Sequence, residues 1–575
     1  MNPLRQFIST GFERARLQLA GSHGLLLLSL LGLLCGILSA SIIILFRLLI
    51  ESIQAGFLPL ADPENYEELL WQWRLVLPVA GSLLLGIIFY FSGRPPIRVG
   101  IVHVLERLGY QEGHLPLKHA LYQFFGGAIA IISGHSVGRE APSVHLGAAT
   151  GSLLGQKMRF PNNSIRTLVA CGTAGAIAAS FNTPLAGVVF AMEVVMMEYT
   201  ITGFIPIILS GVSATAVSHL VFESHPAFSV PALKLHTLWE LVVILLMGIA
   251  IGAIAAFFIK SLRWVTHRSQ SVPVWLGMPA AGLGVGLLAI LCPQVMGIGY
   301  DTVNEALVGS LSIQIILLIL VCKLAATILC IGFSIPAGLI GPVLFIGALF
   351  GSMTGLLLGI LPGEISHPGL YTMLGMGAMM GATLQAPLAA LIALLELTGN
   401  QNIIFPGMLA VVSASLAAQE LFGSNSVYLS QMRELGLDYR NDPIAQSLRR
   451  LGVAAIMNRK FALVQPVMER AQLQKILQDK PRWLVITRKE SNQLMPAADV
   501  ARFLESSEEN NIDLMEVPSR RRDLVPVLQQ ATLQEALNVM NKSEAEALYV
   551  IKPMTAADRI YGIITRRDIE EKYRT

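Results

Sequence analysis

Three stretches of the chain carry apolar residues around the whole helical circumference: GLLLLSLLGLLCGILSASIIILF (24–46), LVVILLMGIAIGAIAAFFI (241–259) and IQIILLILVCKLAATILCIGF (313–333). A soluble surface helix keeps one polar face, and these keep none. Each is long enough to cross the ~30 Å hydrocarbon layer of a bilayer, which takes roughly 20 helical residues. From about residue 450 the pattern changes to short apolar runs between polar turns. RWLVITRKESNQLMPAADVARFL (482–504) reads as a strand, a turn and a helix, and EALYVIKPMTAADRIYGIITRRDIEEKY (546–573) repeats that plan. The patterning predicts a polytopic helical membrane domain followed by a small α/β domain.

Charge follows the same division. Of 575 residues, 53% are hydrophobic and 14% charged, against about 25% charged in a soluble chain. Of the 79 charged side chains, 43 fall in the last 145 positions. A net charge of +3 with no basic run excludes nucleic acid as a partner. All five cysteines (Cys35, Cys171, Cys292, Cys322, Cys330) sit in apolar stretches without a C-x-x-C pair, which predicts buried small hydrophobes. Arg5, Arg14 and Arg16 precede the first span, and the first long loop, ADPENYEEL (61–69), is acidic. The positive-inside tendency places the N-terminus in the cytoplasm, and an even number of crossings places the C-terminal domain there too. No cleavable signal peptide is expected.

The membrane part is written twice. ASFNTPLAGVVFAMEVV (179–195) aligns with ATLQAPLAALIALLELT (382–398), setting Pro184 over Pro387 and Glu193 over Glu396. GREAPSVHLGAATGSLLG (138–155) aligns with GLIGPVLFIGALFGSMTG (338–355), setting Gly138 over Gly338 and Pro142 over Pro342. Repeats of this kind place a substrate site where the halves meet, near the bilayer midplane. GREAP and GLIGP each break an apolar stretch and restart a helix, with proline in the first turn, where its missing N–H costs nothing. A helix that starts inside the membrane aims bare amides and a partial positive charge into low dielectric, so such breaks line a cavity or bind something. Two facing breaks would make an anion site.

Within SGHSVGREAPSVHLG (133–147) the pentapeptide GHSVG matches the G-x-S-x-G elbow of serine hydrolases, with Ser136 as nucleophile. The elbow needs a strand before it and an α/β sheet around it, and the flanks here are membrane segments. Glu140 is the stronger candidate. A carboxylate at the edge of an apolar segment costs ~2.5–3.5 kcal/mol on insertion and is a functional residue by default. The alternative is a pair with Arg139, although adjacent helical residues do not face each other. A carboxylate beside a helix N-terminus can itself occupy an anion site and leave on protonation, which makes Glu140 a gate.

GREAP, GLIGP and the paired FNTPLAG and LQAPLAA segments resemble the CLC family of chloride channels and chloride–proton exchangers, whose signatures read GREGP, GxFxP and FNAPLAG. The resemblance covers essentially the whole membrane domain. It implies a multi-pass α-helical membrane protein of the inner (plasma) membrane, built of two inverted repeats of broken and tilted helices. It also implies a homodimer with one anion pathway per subunit, for chloride and, depending on selectivity, nitrate or other anions. Glu140 matches the gating glutamate, and Gly138, Arg139, Gly338, Leu339 and Ile340 fall on the anion-binding motifs. Tyr428, in GSNSVYLSQM, matches the pore tyrosine, with an interfacial aromatic as the alternative.

The sequence departs from the family at three places. Val99, in RVGIV (98–102), stands where the GSGIP motif has the residue that tunes chloride against nitrate. Ile340 replaces phenylalanine. Val194 stands where proton-coupled members carry an inner proton-relay glutamate, so the expected behaviour is that of a gated channel. Chloride–proton exchange by another inner proton route is the alternative, with Glu198 as a weak stand-in. Glu193 and Glu396 are expected to cap neighbouring helices. The fluoride-exporting branch fits poorly because Tyr428 is present.

YGIITRRDI (561–569) resembles the strand-to-helix signature of a cystathionine β-synthase (CBS) domain. The expected division is an N-terminal segment 1–22, a membrane domain 23–435 with halves 23–225 and 235–435, and a linker 436–452. A degenerate CBS domain 453–510 and a second CBS domain 511–575 complete it. The resemblance implies no required cofactor. Thr565 and Asp568 would meet the ribose of an adenine nucleotide, the alternative being a purely structural module, and the absence of a phosphate-binding G-x-x-x-x-G-K loop predicts no ATP hydrolysis and no enzyme. A membrane-anchored nucleotide sensor is the remaining rival.

Overall fold

The computed structural model describes residues 13, 15–21, 24–59, 65–93, 97–199, 201–222, 228, 233–360, 366–437, 443–488, 491–552 and 560–574. Arg5 and Arg14 lie outside the described residues, as do positions 61–64 of the acidic loop. The chain divides into two compact units. One comprises Ser29–Leu154 and Arg166–Tyr439. The other comprises Met1–Leu28, Gly155–Ile165 and Arg440–Thr575, as far as they are described.

Among the described residues the larger unit is helical, with one isolated bridge and no strand. Its helices are α1 (Leu25–Phe57), α2 (Trp71–Tyr90), α3 (Ile101–Tyr110), α4 (Leu117–Ile132), α5 (Glu140–Lys157) and α6 (Asn162–Phe181), of which the first turn of α1, the end of α5 and the first turn of α6 belong to the other unit. There follow α7 (Pro184–Phe190), continued by one π-helical turn over Ala191–Met196, then α8 (Ile201–Ser218), α9 (Glu240–Ser269) and α10 (Val274–Leu291). The second half adds α11 (Tyr300–Val308), α12 (Ile313–Gly332), α13 (Ile340–Leu358), α14 (Pro368–Leu384), α15 (Pro387–Thr398), α16 (Ile404–Leu416) and α17 (Val427–Glu434). Eight helices among the described residues have the length and apolarity to cross a membrane, including all three stretches singled out by pattern. All five cysteines are buried and free.

The duplication is visible element by element. Helices α4, α5, α6 and α7 recur as α12, α13, α14 and α15, about 200 residues later. The left-handed residue ahead of each break recurs too, as Gly134 (φ 73°) and Ser334 (φ 62°), and ahead of α7 and α15 as Asn182 (φ 56°) and Gln385 (φ 55°). Helices α5 and α6 approach so closely that a Cβ on Gly147 would lie 2.1 Å from the Gly172 carbonyl oxygen, and a Cβ on Gly347 would lie 2.3 Å from that of Gly375 between α13 and α14. Inside a bilayer, where lipid competes for apolar contacts, close backbone approach at small residues is what drives helix pairing.

The smaller unit holds helices α18 (Pro443–Arg449) and α19 (Val453–Ile456) and a six-stranded sheet. Strand β1 (Phe461–Val464) is followed by β2 (Val467–Glu469), α20 (Arg470–Gln478), β3 (Trp483–Thr487), β4 (Asn492–Pro496), α21 (Ala497–Ser506) and β5 (Asn511–Asp513). The chain then forms β6 (Arg522–Leu528), α22 (Leu533–Ser543), β7 (Ala547–Ile551), β8 (Gly562–Thr565) and α23 (Arg566–Arg574). Sheet order is β1-β3-β4-β6-β7-β8, with β2 and β5 paired separately. Strands β1 and β3 are parallel across α20, and β4 returns antiparallel before α21. Likewise β6 and β7 are parallel across α22, and β8 returns before α23. The unit is therefore two β-α-β-β-α modules joined edge to edge through β4 and β6. The 482–504 stretch, read from pattern as strand, turn and helix, contains a second strand, β4. Its NQLMP sequence has no β-branched residue, and its pairing on both edges places it in the sheet.

Candidate anion pathway

The two helix breaks meet. The Gly138 N–H donates to the Gly338 carbonyl at 2.8 Å, and the Gly338 N–H donates to the Gly138 carbonyl at 2.7 Å, an antiparallel bridge between the halves. Two residues beyond each glycine a helix begins, α5 at Glu140 and α13 at Ile340, with Leu339 as the residue before the latter. The first turns of both helices therefore open, with amides that lack intrahelical partners, at one place inside the protein.

Glu140 lies across that place and is 3% exposed. A Cβ added to Gly138 would stand 1.9 Å from Glu140 Oε2, one on Gly338 2.4 Å from the same oxygen, and one on Gly341 2.9 Å from Oε1. The three glycines form a cradle that any side chain would fill. The amides of Glu140 itself and of Gly341 act on it as backbone donors, yet neither carboxylate oxygen completes a well-formed hydrogen bond. A carboxylate held this way is attracted by the helix ends without being locked to them. Beside it is a cavity of about 40 Å³ lined mostly by apolar side chains, among them Ile177, Phe181, Ile340 and Leu344, large enough for a water.

Arg139 turns elsewhere. Its guanidinium lies over the rings of Phe181 and Tyr300, 5.0 and 5.9 Å from their centroids, and it lines a second cavity with Arg47, Glu51 and Tyr66. The Arg139–Glu140 pairing is thus replaced by two side chains facing different cavities. Tyr428, on α17, is 3% exposed, its hydroxyl has no hydrogen-bond partner, and it lies within electrostatic range of Glu140. Helix α3 packs against both α17 and the π-helical turn. Val99 is half-buried just ahead of α3, preceding Gly100 at φ 87°. Val194 is buried in the π-helical turn. Glu198 follows it, half-buried, past the left-handed Met197.

Glu193 and Glu396 are bound crosswise. Glu193 accepts from the amides of Leu388 and Ala389 (3.3 and 2.6 Å) at the start of α15, and Glu396 accepts from those of Leu185 and Ala186 (3.0 and 2.7 Å) at the start of α7. Each half of the repeat caps a helix of the other. Ser136 is fully buried and shares a hydrogen bond of 3.1 Å with Thr327 Oγ1. Its neighbour His135 bonds Ser133 instead. Among the described residues no imidazole or carboxylate is hydrogen-bonded to the Ser136 hydroxyl, so the hydrolase elbow has no base.

In the smaller unit Thr565 and Asp568 hold each other. Asp568 Oδ2 accepts from the Thr565 amide (2.8 Å) and hydroxyl (2.6 Å), and the Asp568 amide donates to Thr565 Oγ1 (3.4 Å). This is a capping box for α23 with aspartate in the third helical position. The Thr-x-x-Asp spacing of TRRD (565–568) is the sequence signal of this local use.

A family model described as voltage gated chloride channel matches residues 81–419, and one for the CBS domain matches 515–574. A ClcB-like protein of Ralstonia nicotianae is 33% identical over 366 residues, covering 62% of this chain and 85% of that one. The H(+)/Cl(-) exchange transporter ClcA of Vibrio cholerae is 32% identical over 324 residues, 55% of this chain and 68% of that one. The crystal structure of a eukaryotic CLC transporter superposes with a TM-score of 0.60 at 20% identity, covering 95% of this chain and 98% of that one. The chain belongs to the voltage-gated chloride channel (CLC) family and carries a CBS domain at its C-terminal end.

Proposed function

We propose that the protein carries chloride across a plasma membrane along the path where α5 and α13 begin, with Glu140 as its gate. The observation that carries this reading is the buried, poorly satisfied Glu140 carboxylate lying in the three-glycine cradle at the Gly138–Gly338 bridge. Ionised, the carboxylate competes with chloride for the helix ends, and protonated, it gives way. Binding by partial charges and the Tyr428 hydroxyl, without a fixed cation, keeps the ion exchangeable. Val99 leaves the choice between chloride and nitrate to backbone and packing. With Val194 in place of a carboxylate, the finer reading is channel-like, passive flux; the Vibrio cholerae relative, an exchange transporter by name, favours proton-coupled exchange by another inner route as the second reading. The arrangement is further proposed to be homodimeric, with both termini cytoplasmic and with the smaller unit open to an adenine nucleotide.

The test is flux from chloride-loaded liposomes containing the purified protein, with membrane potential clamped and pH varied. The unmodified protein is expected to move chloride with a strong pH dependence, and Glu140→Gln to move it with little. Equal pH dependence in both would sink the gate assignment.

A further inference from the structure

Three histidines from three different helices form a continuous line inside the membrane unit. His119, half-buried in the first turn of α4, places Nδ1 3.0 Å from His103 Nε2. His103, in the first turn of α3 and 2% exposed, places Nδ1 2.9 Å from Nε2 of the fully buried His145 on α5. The ring centroids are 4.6 and 5.1 Å apart. The nitrogens meet one another in series and do not converge on a common point, and no group of His, Cys, Asp and Glu among the described residues is arranged to hold a metal.

The hydrogen bonds also have one direction. Arg107 Nε donates to His103 Nε2 at 3.0 Å, so that nitrogen is an acceptor and the neutral ring carries its proton on Nδ1. His103 Nδ1–H then donates to His145 Nε2, which leaves the His145 proton on Nδ1. At the other end His119 Nδ1 lies 3.1 Å from the Arg98 carbonyl, which only accepts, so His119 Nδ1–H is a donor shared between that carbonyl and His103 Nε2. His103 and His145 receive at Nε2, and His119 and His103 give at Nδ1. The last donor, His145 Nδ1, is buried without any partner, which costs free energy unless the group has a task. His145 sits on the helix that Glu140 opens, five residues and about 7.5 Å of rise along it.

We propose that His119, His103 and His145 are a proton relay that connects the face bearing the 111–116 loop with the Glu140 site and supplies the inner proton route that Val194 cannot. This rests on the reading of Glu140 as the gate and on the second reading above, proton-coupled exchange. A proton taken up at His119 Nε2 releases the Nδ1 proton to His103 Nε2. That ring passes its own Nδ1 proton to His145 Nε2, and His145 Nδ1–H delivers one proton to a chain of waters leading around the helix to the Glu140 carboxylate. One proton enters and one leaves. Each ring is left as the opposite tautomer and resets by rotation. The charged groups around the relay are Arg98, Arg107 and Lys118 against Glu106, with Arg98 and Glu106 paired at 3.5 Å. Helix α3 also packs against the turn that holds Glu193, whose carboxylate is committed to α15.

The experiment uses the full chain in liposomes, with an imposed chloride gradient driving protons uphill and both fluxes recorded. His145→Gln and His103→Gln keep a hydrogen-bonding side chain but cannot pass a proton; they are expected to retain chloride flux and to lose proton flux by about tenfold or more. His119→Ala is expected to lose proton flux in the same way and to recover it when imidazole is supplied on the side of the 111–116 loop, a rescue that a merely structural ring would not show. Proton flux unchanged in His103→Gln and His145→Gln, or chloride flux without proton flux in the unmodified protein, would overturn the relay while leaving the anion pathway intact. Loss of both fluxes in the His variants, with no imidazole rescue of His119→Ala, would likewise reduce the line to packing. Absence of chloride flux from the unmodified protein would instead overturn the reading of the pathway itself.

Discussion

At the scale of single residues, the side chains given roles in the proposed pathway and relay share a buried polar atom without a partner, a condition they have in common with others such as Thr173 and Thr383. Glu140, Tyr428 and His145 are all buried with an unpartnered oxygen or nitrogen, whereas Glu240, equally buried, accepts from Tyr371, Ser366 and Thr237 and is structural. Glu67 shows a third condition, in the loop before α2. Partial burial, then the nearby Asp301 and Glu305, push its carboxyl up to about 7, against a hydrogen bond from Thr302 and the Arg74 charge. The folded state thus binds a proton that the unfolded chain releases at the ordinary carboxylate pKa. Its contribution to stability is fully present below that ordinary value and is lost as pH rises toward 7, because the unfolded state then binds fewer protons than the folded one. Glu67→Gln is expected to flatten this part of the profile. Thermal unfolding in detergent at pH 5 and pH 8 checks it: the unmodified protein should lose more melting temperature between the two than the variant, and equal losses would remove Glu67 as the cause.

At the scale of elements, the duplication was legible in the sequence because small residues, prolines and one glutamate recur at a nearly constant offset. The apolar spans and the helix breaks were legible for the same reason: pattern and punctuation are local. The crossing of the two caps follows from it, since a symmetric pair of carboxylates must find symmetric donors. Helices α7 and α15 are expected to depend equally on their caps. Removing either with Glu193→Gln or Glu396→Gln should cost about 1 kcal/mol, within the range for losing an N-terminal cap. The two variants should shift the melting temperature in detergent by similar amounts. A large shift for one and none for the other would show that the halves have diverged in energy while keeping their geometry. Less legible was anything that joins elements distant in sequence. Two histidines stand out in SGHSVGREAPSVHLG, but His103 and His119 lie on other helices, and no spacing rule brings them to His145. The capping box at Thr565 and Asp568 shows the converse, a motif whose local use is hidden by a more distant expectation.

At the scale of the whole molecule, the division of charge along the chain corresponds to a division of solvent. Helices of the larger unit satisfy their backbone internally and expose Leu, Ile, Val and Phe outward, among them Leu30, Leu45, Phe257 and Leu291, which a bilayer accepts and water does not. The smaller unit is stabilised in the opposite way. It buries Leu484, Ile486 and Val500 in one core, Leu533, Met540 and Ile564 in a second, and Trp483, Leu494 and Ile563 in a third. Those cores depend on water being expelled, and urea weakens that dependence in proportion to the surface that unfolding exposes, about 1–3 kcal/mol per molar for small proteins. Helices embedded in detergent expose little new surface to urea. The two units are therefore expected to unfold separately. Trp483 is one of the chain's six tryptophans and the sole one after residue 440. With the other five replaced by phenylalanine, its fluorescence should report a cooperative transition at moderate urea while most of the helical circular dichroism persists. A single transition in both signals would mean that the smaller unit draws its stability from the membrane unit, and that its six-stranded sheet is not an independent fold.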